Sequence, residues 1–365
     1  MPSPNKKKRK ALFNILQDHL GRNLPFVVYK KPGAQNLTAL LQSDKSLDTT
    51  LDFKRPGFVM APFDAGSGGS SLVFLRPDAH YYCKYKPAKH PTLLADPIPN
   101  QVGREIHLEL VAEALKDIGA DMLQKVVASR RFSVPFTADI LNTAYGMMQA
   151  YPNAFTYLFH HPGAGTWMGA TPELLLKSNA GLGETLALAG TRAADPTLEK
   201  HSWTAKERFE QQVVTDFIVD QMRAMALEPQ MGPVTNIQAG KLWHLGTAIR
   251  APLPMDKAGA LLQALHPTPA VCGLPRDKAH SFIRENENYS REYYTGFLGE
   301  IGIEQPEDFS TYVNLRCIQI RNGRAFIYVG GGITADSDAE AEWEETQQKS
   351  TTVLSFLENS RKPIG

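Results

Sequence analysis

The feature that most constrains the fold is a series of β-hairpin signals in the middle and C-terminal parts of the chain. Asn322-Gly323 lies between two β-rich runs, 315–320 and 325–329. An Asn-Gly pair in that position is the strongest short-range hairpin signal, because both residues accept positive φ. Two further hairpins are predicted, with strands at 155–159 and 166–169 and at 173–177 and 185–189. Strands joined by such short turns run antiparallel.

Long helices follow the hairpins. Apolar residues at helical spacing predict one helix over 205–227 and a second, with a capping residue at its start, over 337–357. Hairpins followed by helices indicate an α+β protein with antiparallel sheets rather than a βαβ nucleotide-binding fold. The chain has no GxGxxG motif, and the three glycines at 330–332 lack the Lys and Ser/Thr of a phosphate loop. They indicate only a close approach to the backbone.

The composition is that of a protein able to bury a large core. The 365 residues are 42% hydrophobic and 21% charged, and no long linker or internal repeat divides them, so we expect one large composite domain. The formal net charge of +1 argues against a nucleic-acid-binding protein with a strongly basic face. Three widely spaced cysteines exclude a disulfide scaffold and a CxxC metal site and suit a reducing cytosol.

Neither a membrane span nor a signal peptide is predicted. No apolar run approaches the roughly 18–20 residues that cross a bilayer, and the apolar stretch at 11–16 is too short for a signal-peptide core. We therefore expect a cytoplasmic protein without membrane partners. The basic run at 6–10 has the charge to contact phosphates, but a solvated terminus that leads into a first helix is the preferred interpretation.

The two predicted helices each carry a Glu-x-x-Glu pair. Glu207 and Glu210 lie on the first helix, and Glu342 and Glu345 lie on the second, with Lys349 following. Side chains three or four positions apart share one helix face. If the two faces converged, they would form a hard oxygen-ligand site suited to Mg²⁺. Each pair by itself is more typical of an exposed helix face.

Three further polar residues are candidates for a site. Lys125 precedes a β-branched run, where burial would lower its pKa towards that of a general base, although a strand-edge lysine that reaches water is preferred on local sequence. Arg316 alternates with Ile318 and Ile320 in a β-rich run, and a half-buried guanidinium there needs a structural or a substrate anion. His244 lacks metal-ligand spacing and is typical of a satisfied core histidine.

The order of these motifs resembles that of the chorismate-utilising enzymes, the family of isochorismate, salicylate, anthranilate and aminodeoxychorismate synthases. The resemblance covers roughly residues 122–356. The matching blocks are Lys125-Val-Val-Ala-Ser-Arg130, Thr171-Pro-Glu-Leu174, Leu188-Ala-Gly-Thr-Arg192, Lys206-Glu-Arg-Phe-Glu210, Leu242-Trp-His-Leu245, His266-Pro-Thr-Pro-Ala270 with Gly273, Arg291-Glu-Tyr-Tyr-Thr-Gly296, Arg316, Gly330-Gly-Gly-Ile333 and Glu342-Trp-Glu-Glu-Thr346 with Lys349.

The resemblance implies two packed antiparallel sheets flanked by helices, with the active site in a deep cleft. It places the catalytic, chorismate-binding region in 101–365. Residues 1–100 match only loosely, as a variable N-terminal part of the same domain.

The resemblance also assigns catalytic roles. Lys125 matches the base that activates water for attack at C2 of chorismate, and Glu173 matches the acid that protonates the departing C4 hydroxyl. Such an acid needs a pKa raised by burial or by nearby carboxylates if it is to arrive protonated.

The binding positions follow from the same resemblance. Glu210 and Glu345 match ligands of a Mg²⁺ cofactor that grips the ring carboxylate of the substrate, with Glu207 and Glu342 at outer positions. The matched substrate-binding positions are Gly190, Thr191, His244, Tyr294, Arg316, Gly330, Gly331, Gly332 and Lys349.

Three positions narrow the choice of reaction. Ala189 stands where some aminodeoxychorismate synthases carry a nucleophilic lysine, and Lys125 stands where ammonia-using anthranilate synthases typically have glutamine, so both favour water as the nucleophile. Ala270 stands where salicylate synthases tend to have threonine. Isochorismate synthase is therefore preferred, with salicylate synthase as the alternative. Gln211 departs from the histidine that many members carry.

An anthranilate or aminodeoxychorismate synthase component and an inactive relative are less favoured interpretations. The sequence leaves open whether the product enters menaquinone or siderophore synthesis and whether the protein is a monomer or a homodimer.

Overall fold

The computed structural model describes residues 2–64, 69–87, 101–193, 203–239 and 242–359. Within these ranges the chain forms seven helices and nineteen strands. The helices are α1 Arg9–Gly21, α2 Arg104–Gly119, α3 Ile140–Ala150, α4 Ala205–Ala224, α5 Met255–Leu265, α6 Arg276–Asn286 and α7 Ala339–Asn359. The strands are β1 Asn5–Lys6, β2 Phe26–Lys30, β3 Asn36–Leu41, β4 Gly57–Ala61, β5 Val73–Leu75, β6 Ala79–Lys84, β7 Lys125–Pro135, β8 Phe155–His161, β9 Gly165–Thr171, β10 Leu174–Asn179, β11 Leu182–Ala193, β12 Gln230–Met231, β13 Thr235–Ala239, β14 Leu242–Pro252, β15 Gly273–Leu274, β16 Phe297–Ile301, β17 Phe309–Val313, β18 Cys317–Arg321 and β19 Arg324–Ile333.

The strands form two large sheets. In the described part of the chain, sheet A has the order β1-β6-β3-β2-β8-β9-β18-β19-β7-β15, and sheet B has the order β12-β14-β11-β10-β17-β16-β4-β5, with β13 also paired to β14. Strands that precede residue 100 enter both sheets, since β2 pairs with β8 and β4 pairs with β16. The predicted boundary at residue 100 lies outside the described residues and stays a prediction.

The two sheets pack face to face through an aromatic core. The ring centroids of Tyr29 in sheet A and Phe58 in sheet B are 5.4 Å apart, and those of Phe155 and Tyr312 are 4.3 Å apart. Helices α1, α3 and α7 cover the outer face of sheet A, and α4 and α5 cover that of sheet B. This arrangement confirms the predicted α+β class with two packed antiparallel sheets flanked by helices.

The predicted hairpins are confirmed. Strands β18 and β19 pair antiparallel through a turn in which Asn322 and Gly323 have φ of 52° and 69°, and the other two hairpins are β8–β9 and β10–β11. Strand β19 also pairs with β7 along its length, as far as Ile333 opposite Val126. The predicted long helices are α4 and α7.

One strand prediction is wrong. Strand β18 begins at Cys317, and Arg316 precedes it with a left-handed φ of 49°. This conformation breaks the strand alternation, so Arg316 does not share a strand face with Ile318 as expected.

The basic run at 6–10 leads into α1 as expected, and its residues Lys6, Lys8, Arg9 and Lys10 are exposed. None of the helices in the described ranges combines the length and the apolar character needed to cross a membrane.

Candidate active site

A cleft of about 880 Å³, counting the solvent at its mouth, brings together strands of both sheets with helices α4 and α7. Eleven of the predicted site residues line it: Lys125, Glu173, Gly190, Glu210, His244, Tyr294, Arg316, Gly330, Gly332, Glu345 and Lys349. Among the other four, Gly331 lies next to Glu342 and to the lining residue Glu345, and Glu207 lies beside Gly190. Thr191 belongs to β11, but its side chain falls outside the described residues.

Lys125, the predicted base, is the first residue of β7 and is only 2% exposed. The local-sequence preference for a lysine that reaches water is therefore wrong. A methyl group on Gly332 would lie 3.0 Å from Lys125 Cε and 3.4 Å from Glu210 Oε1. Glycine at this point of β19 lets the lysine and the carboxylate approach the same stretch of backbone, as the glycine run predicted.

Glu173, the predicted acid, precedes β10 and is 6% exposed. Its backbone is held at both ends, because its N–H donates to Thr171 Oγ1 over 3.2 Å and its carbonyl accepts from the Val313 N–H over 3.0 Å. Burial raises the pKa of Glu173 to about 8, against the opposing positive charges of Lys125, Lys349 and Arg316. The carboxyl group therefore carries its proton at neutral pH, which is the state that the predicted role requires.

The glutamates of the two helices converge on the glycines of β19. A methyl group on Gly331 would lie 2.9 Å from Glu342 Oε2 and 3.6 Å from Glu345 Oε1. Glu210 from α4 is 9% exposed. Burial raises its pKa, and the charges of Glu345 and Glu342 raise it further, against those of two nearby lysines. The two acidic faces therefore meet, and the alternative of two separate exposed faces is wrong.

Two lysines neutralise the carboxylates of α7. Lys206 Nζ lies 2.5 Å from Glu342 Oε1. Lys349 Nζ lies 2.7 Å from Glu345 Oε1 and donates to the Gly330 carbonyl over 2.8 Å. Burial lowers the pKa of Lys206, but the neighbouring glutamates, with Glu342 first, raise it by more, so that its pKa lies above the ordinary value.

In the described ranges, no three His, Cys, Asp or Glu side chains are arranged so that they could hold a metal ion as they are. The carboxylate oxygens of the glutamates on α4 and α7 are nevertheless the type of ligand that Mg²⁺ prefers. The fit rests on Glu342, whose Oε2 is buried without a hydrogen-bond partner, and on the raised pKa of Glu210 among like charges. A hard divalent cation with carboxylate ligands would satisfy both conditions. Glu210 and Glu345 are the predicted ligands.

Glu207 has a local role that the sequence analysis did not assign, although the Thr-x-x-Glu spacing from Thr204 was an available signal. Its Oε2 accepts from the Thr204 N–H over 2.7 Å and from Thr204 Oγ1 over 2.6 Å, and it closes a capping box at the start of α4. Its placement as an outer metal position stays a prediction.

A buried relay orients Arg316. Its Nη2 donates to His244 Nε2 over 2.8 Å, and His244 Nδ1 lies 2.9 Å from the Gly190 carbonyl. Because a guanidinium only donates, Nε2 is the acceptor and Nδ1 carries the proton. Burial and the charge of Arg316 lower the pKa of His244 to about 3. The histidine is therefore neutral and aims the guanidinium, which makes it more than a core residue.

Tyr294 forms part of the cleft wall and is 3% exposed. Behind it lies an ion pair that the sequence reading did not select, between Arg291 and Glu287, whose Nη2 and Oε1 are 2.5 Å apart. Arg291 also donates to the carbonyls of Val127 and Val271, both of which line the cleft. The four-residue spacing of opposite charges was the available signal.

The comparisons with known proteins agree with this geometry. A sequence model of the chorismate binding enzyme family matches residues 77–355. Isochorismate synthase EntC from Escherichia coli strain K12 is 30% identical over 276 residues, which are 71% of this chain and 68% of that protein.

Two solved structures share the fold. The menaquinone-specific isochorismate synthase MenF from Escherichia coli superposes with a TM-score of 0.75 at 22% identity and covers 91% of this chain and 88% of its own. Anthranilate synthase component I from Streptococcus pneumoniae superposes with a TM-score of 0.67 at 18% identity and covers 90% of each chain. The family match spans most of this sequence and includes every predicted site residue, and the chain therefore belongs to the chorismate binding enzymes.

Proposed function

We propose that the protein is an isochorismate synthase, which adds water at C2 of chorismate and removes the C4 hydroxyl. The observation that carries the proposal is the pair Lys125 and Glu173. Both side chains are buried in the walls of one cleft, at 2% and 6% exposure, and the pKa of Glu173 is raised to about 8. A proton acceptor and a protonated acid in one pocket are what the reaction needs, since water is a weak nucleophile and hydroxide a poor leaving group.

The proposed reaction balances in one turnover. Lys125 takes a proton from a water molecule as its oxygen bonds to C2. The two conjugated ring double bonds each move by one position, from C1=C2 and C5=C6 to C1=C6 and C4=C5, and the C4–oxygen bond breaks. Glu173 gives its proton to the leaving hydroxide, which departs as water. Chorismate and isochorismate are therefore isomers, and the two side chains exchange their protons with solvent before the next turnover.

Binding is assigned to two cations and to a group of carboxylates at the cleft. Arg316, aimed by His244, and Lys349 are placed to receive substrate carboxylates. Glu210 and Glu345 would hold Mg²⁺, with Glu207 and Glu342 outside them. When bound, Mg²⁺ would supply positive charge to the ring carboxylate of the substrate. Glu342 keeps its own ion pair with Lys206 and so helps to fix the acidic face.

Two small residues in the cleft support water over other nucleophiles and a reaction that stops at isochorismate. Ala189 and Ala270 both line the cleft. Ala189 offers no amine for covalent attack on the ring, and Ala270 offers no hydroxyl to assist the elimination of pyruvate. Two of the proteins named above are isochorismate synthases, and one of these two is menaquinone-specific. We propose a cytoplasmic enzyme of menaquinone or siderophore synthesis, with chorismate as its small-molecule partner.

The test is to incubate the purified protein with chorismate and MgCl₂ and to separate the products by liquid chromatography with mass detection. We expect a product of unchanged mass and new retention time, formed without ammonia. Salicylate with free pyruvate would assign the alternative function, and anthranilate formed only with ammonia would assign another family activity. Lys125→Ala should lose turnover, and Lys54→Ala, which changes an exposed lysine, is the matched control.

A further inference from the structure

Arg130 is a buried cation that bonds to a helix rather than to a carboxylate. It lies on β7 and is 6% exposed. Its Nε donates to Thr346 Oγ1 over 2.8 Å and its Nη2 donates to Gln347 Oε1 over 2.9 Å. Its guanidinium carbon lies 4.2 Å from the centroid of the Trp343 ring. A guanidinium is rigid and planar, so these three contacts together fix the position and the rotation of the helix segment that they touch.

The contacts are built into a closed environment. Thr346 Oγ1 donates to the Trp343 carbonyl over 2.8 Å, so that its lone pairs are directed to Arg130. His107 from α2 lies against the Trp343 ring, with centroids 5.9 Å apart. Trp343 is 1% exposed and Thr346 is fully buried. Side chains packed to this degree have little freedom to move to another arrangement.

The same two turns of α7 carry the charged groups of the cleft. At about 100° per residue, Glu342, Glu345 and Lys349 form one stripe along the helix, and Trp343, Thr346 and Gln347 form the neighbouring stripe. Rotation of α7 about its axis would therefore move both sets together. Strand β7 carries Lys125 at its first position and Arg130 five residues later. One strand thus carries both the proposed base and Arg130, whose contacts with α7 are called the clamp below.

We propose that Arg130 is a positioning residue that sets the rotation of α7 and thereby places Glu342, Glu345 and Lys349 relative to Lys125. The proposal rests on the proposed function only for its effect on turnover. The effect of Arg130 on α7 itself can be measured by hydrogen exchange, which needs neither substrate nor metal. The residue touches neither the cleft nor a predicted metal ligand directly, and it acts through Trp343, Thr346 and Gln347.

The test compares Arg130→Lys with Thr346→Val. The lysine variant keeps the charge but loses the forked donor, and the valine variant removes the acceptor at nearly constant volume. In both we expect faster backbone hydrogen exchange in 339–359 than in the wild type. We also expect about a 10–100-fold rise in the half-saturating Mg²⁺ concentration or a fall of the same size in turnover, as for other groups that orient metal ligands. The double variant should show no faster exchange and no lower activity than the more impaired single variant, because both changes remove the same Arg130–Thr346 hydrogen bond.

Two controls separate positioning from general destabilisation. Arg324→Lys changes an arginine of β19 that donates to Ser133 Oγ on β7 over 3.0 Å. Phe159→Leu weakens the core between the sheets. In both controls we expect hydrogen exchange in 339–359 and the Mg²⁺ requirement to match the wild type, even if thermal stability falls as much as in the Arg130 and Thr346 variants. Unchanged exchange in α7 of either clamp variant would overturn the proposal.

The outcomes remain separable from the proposed function. If the wild type does not convert chorismate, the function fails, while the hydrogen exchange of α7 still decides the clamp. If Arg130→Lys does not fold, Thr346→Val alone carries the test, since it leaves the buried charge in place. Clamp variants with faster exchange in α7 but wild-type turnover and Mg²⁺ dependence would also overturn the proposal, because the helix rotation would then not set the site.

Discussion

Helices α4 and α7 carry the same Glu-x-x-Glu pattern, yet they use it differently. On α4, Glu207 forms the capping box with Thr204, and Glu210 lines the cleft. On α7, both Glu342 and Glu345 approach Gly331, and each is paired with a lysine. The same spacing thus brings one carboxylate from the first helix and two from the second to the glycines of β19.

The difference follows from the distance between each pair and its N-cap. In α4 the first glutamate is the third residue after the capping position, where a glutamate side chain reaches back to the N-cap N–H. In α7 the cap is Asp338, whose Oδ1 accepts from the Ala341 N–H over 3.0 Å. The pair on α7 begins one residue later, beyond the reach of the cap. A shift of one residue against the cap therefore decides whether a glutamate serves the helix end or the cleft.

The largest effect should come from the two carboxylates that the comparison makes equivalent, Glu210 and Glu345. Glu210→Gln and Glu345→Gln each remove one charge at constant size. A metal contributes several kcal/mol of charge stabilisation, and each 1.4 kcal/mol is a factor of ten, so we expect turnover to fall by about 10³–10⁴-fold with a loss of the Mg²⁺ requirement. Steady-state kinetics across a MgCl₂ titration measure this. Mg²⁺-stimulated turnover within tenfold of the wild type would contradict the ligand role.

The next effect concerns Glu173, a buried carboxyl that lies outside both helices. Its pKa is raised to about 8, and its role needs the protonated form. Turnover should therefore be constant up to about pH 8 and then fall about tenfold per pH unit. Glu173→Gln should lower turnover by about 10²–10⁴-fold and remove this alkaline limb. A limb that persists in the variant would belong to another group.

The direction in which stability changes with pH provides an independent check on the raised pKa of Glu173. Folding raises its pKa from 4.5 to about 8, so the folded state holds the proton more tightly than the unfolded state does. The contribution of this group to stability is complete below about pH 4.5 and is lost as the pH rises towards about 8. Denaturation of Glu173→Gln across this range should lack that part of the decline.

The sequence predicted the fold well because its signals are local. An Asn-Gly turn, helix-period apolar residues and a run of glycines each act within a few residues of their own position, and the structure has the corresponding hairpin, helices and close approach. Family resemblance supplied what local pattern did not, namely that the two acidic helices meet. Periodicity alone favoured separate exposed faces, because it carries no information about distant contacts.

The errors have the same origin. Arg316 was placed in a strand because the apolar residues after it alternate, but a single left-handed residue ended that alternation. Local sequence favoured a Lys125 that reaches water, and this is wrong because tertiary neighbours decide the burial of a lysine. Here those neighbours are the glycines of β19 and the carboxylate of Glu210. The relay from Arg316 through His244 to Gly190 joins three segments far apart in sequence, and no local signal marks it.

A smaller effect is expected at Lys206, which links the two helices through Glu342. Lys206→Met leaves a buried carboxylate without its partner at 2.5 Å. Loss of one member of a fully buried pair costs about 3–5 kcal/mol. We expect about 1–3 kcal/mol because the Lys206 side chain is 27% exposed. Added Mg²⁺ should recover more stability in this variant than in the wild type.

Chemical denaturation with and without MgCl₂ measures the effect at Lys206. Lys116→Met is the control, since it breaks a pair with Glu113 in which the side chains are 72% and 44% exposed, and such exposed pairs contribute little to stability. Equal losses in the two variants would show that the link between α4 and α7 adds nothing to stability.

The smallest effect separates the two roles of Glu207, the residue in which the helices differ most. Glu207→Ala removes the side chain that closes the capping box and should cost about 0.5–1 kcal/mol of unfolding free energy. Glu207→Gln keeps the hydrogen-bonding side chain, since glutamine also closes a capping box, and should be as stable as the wild type within a few tenths of a kcal/mol. If Glu207 also acts as an outer metal position, both variants should need about tenfold more Mg²⁺ for half-maximal turnover. A glutamine variant with wild-type stability and wild-type Mg²⁺ dependence would leave Glu207 as a cap alone, and the contrast between α4 and α7 would then be complete.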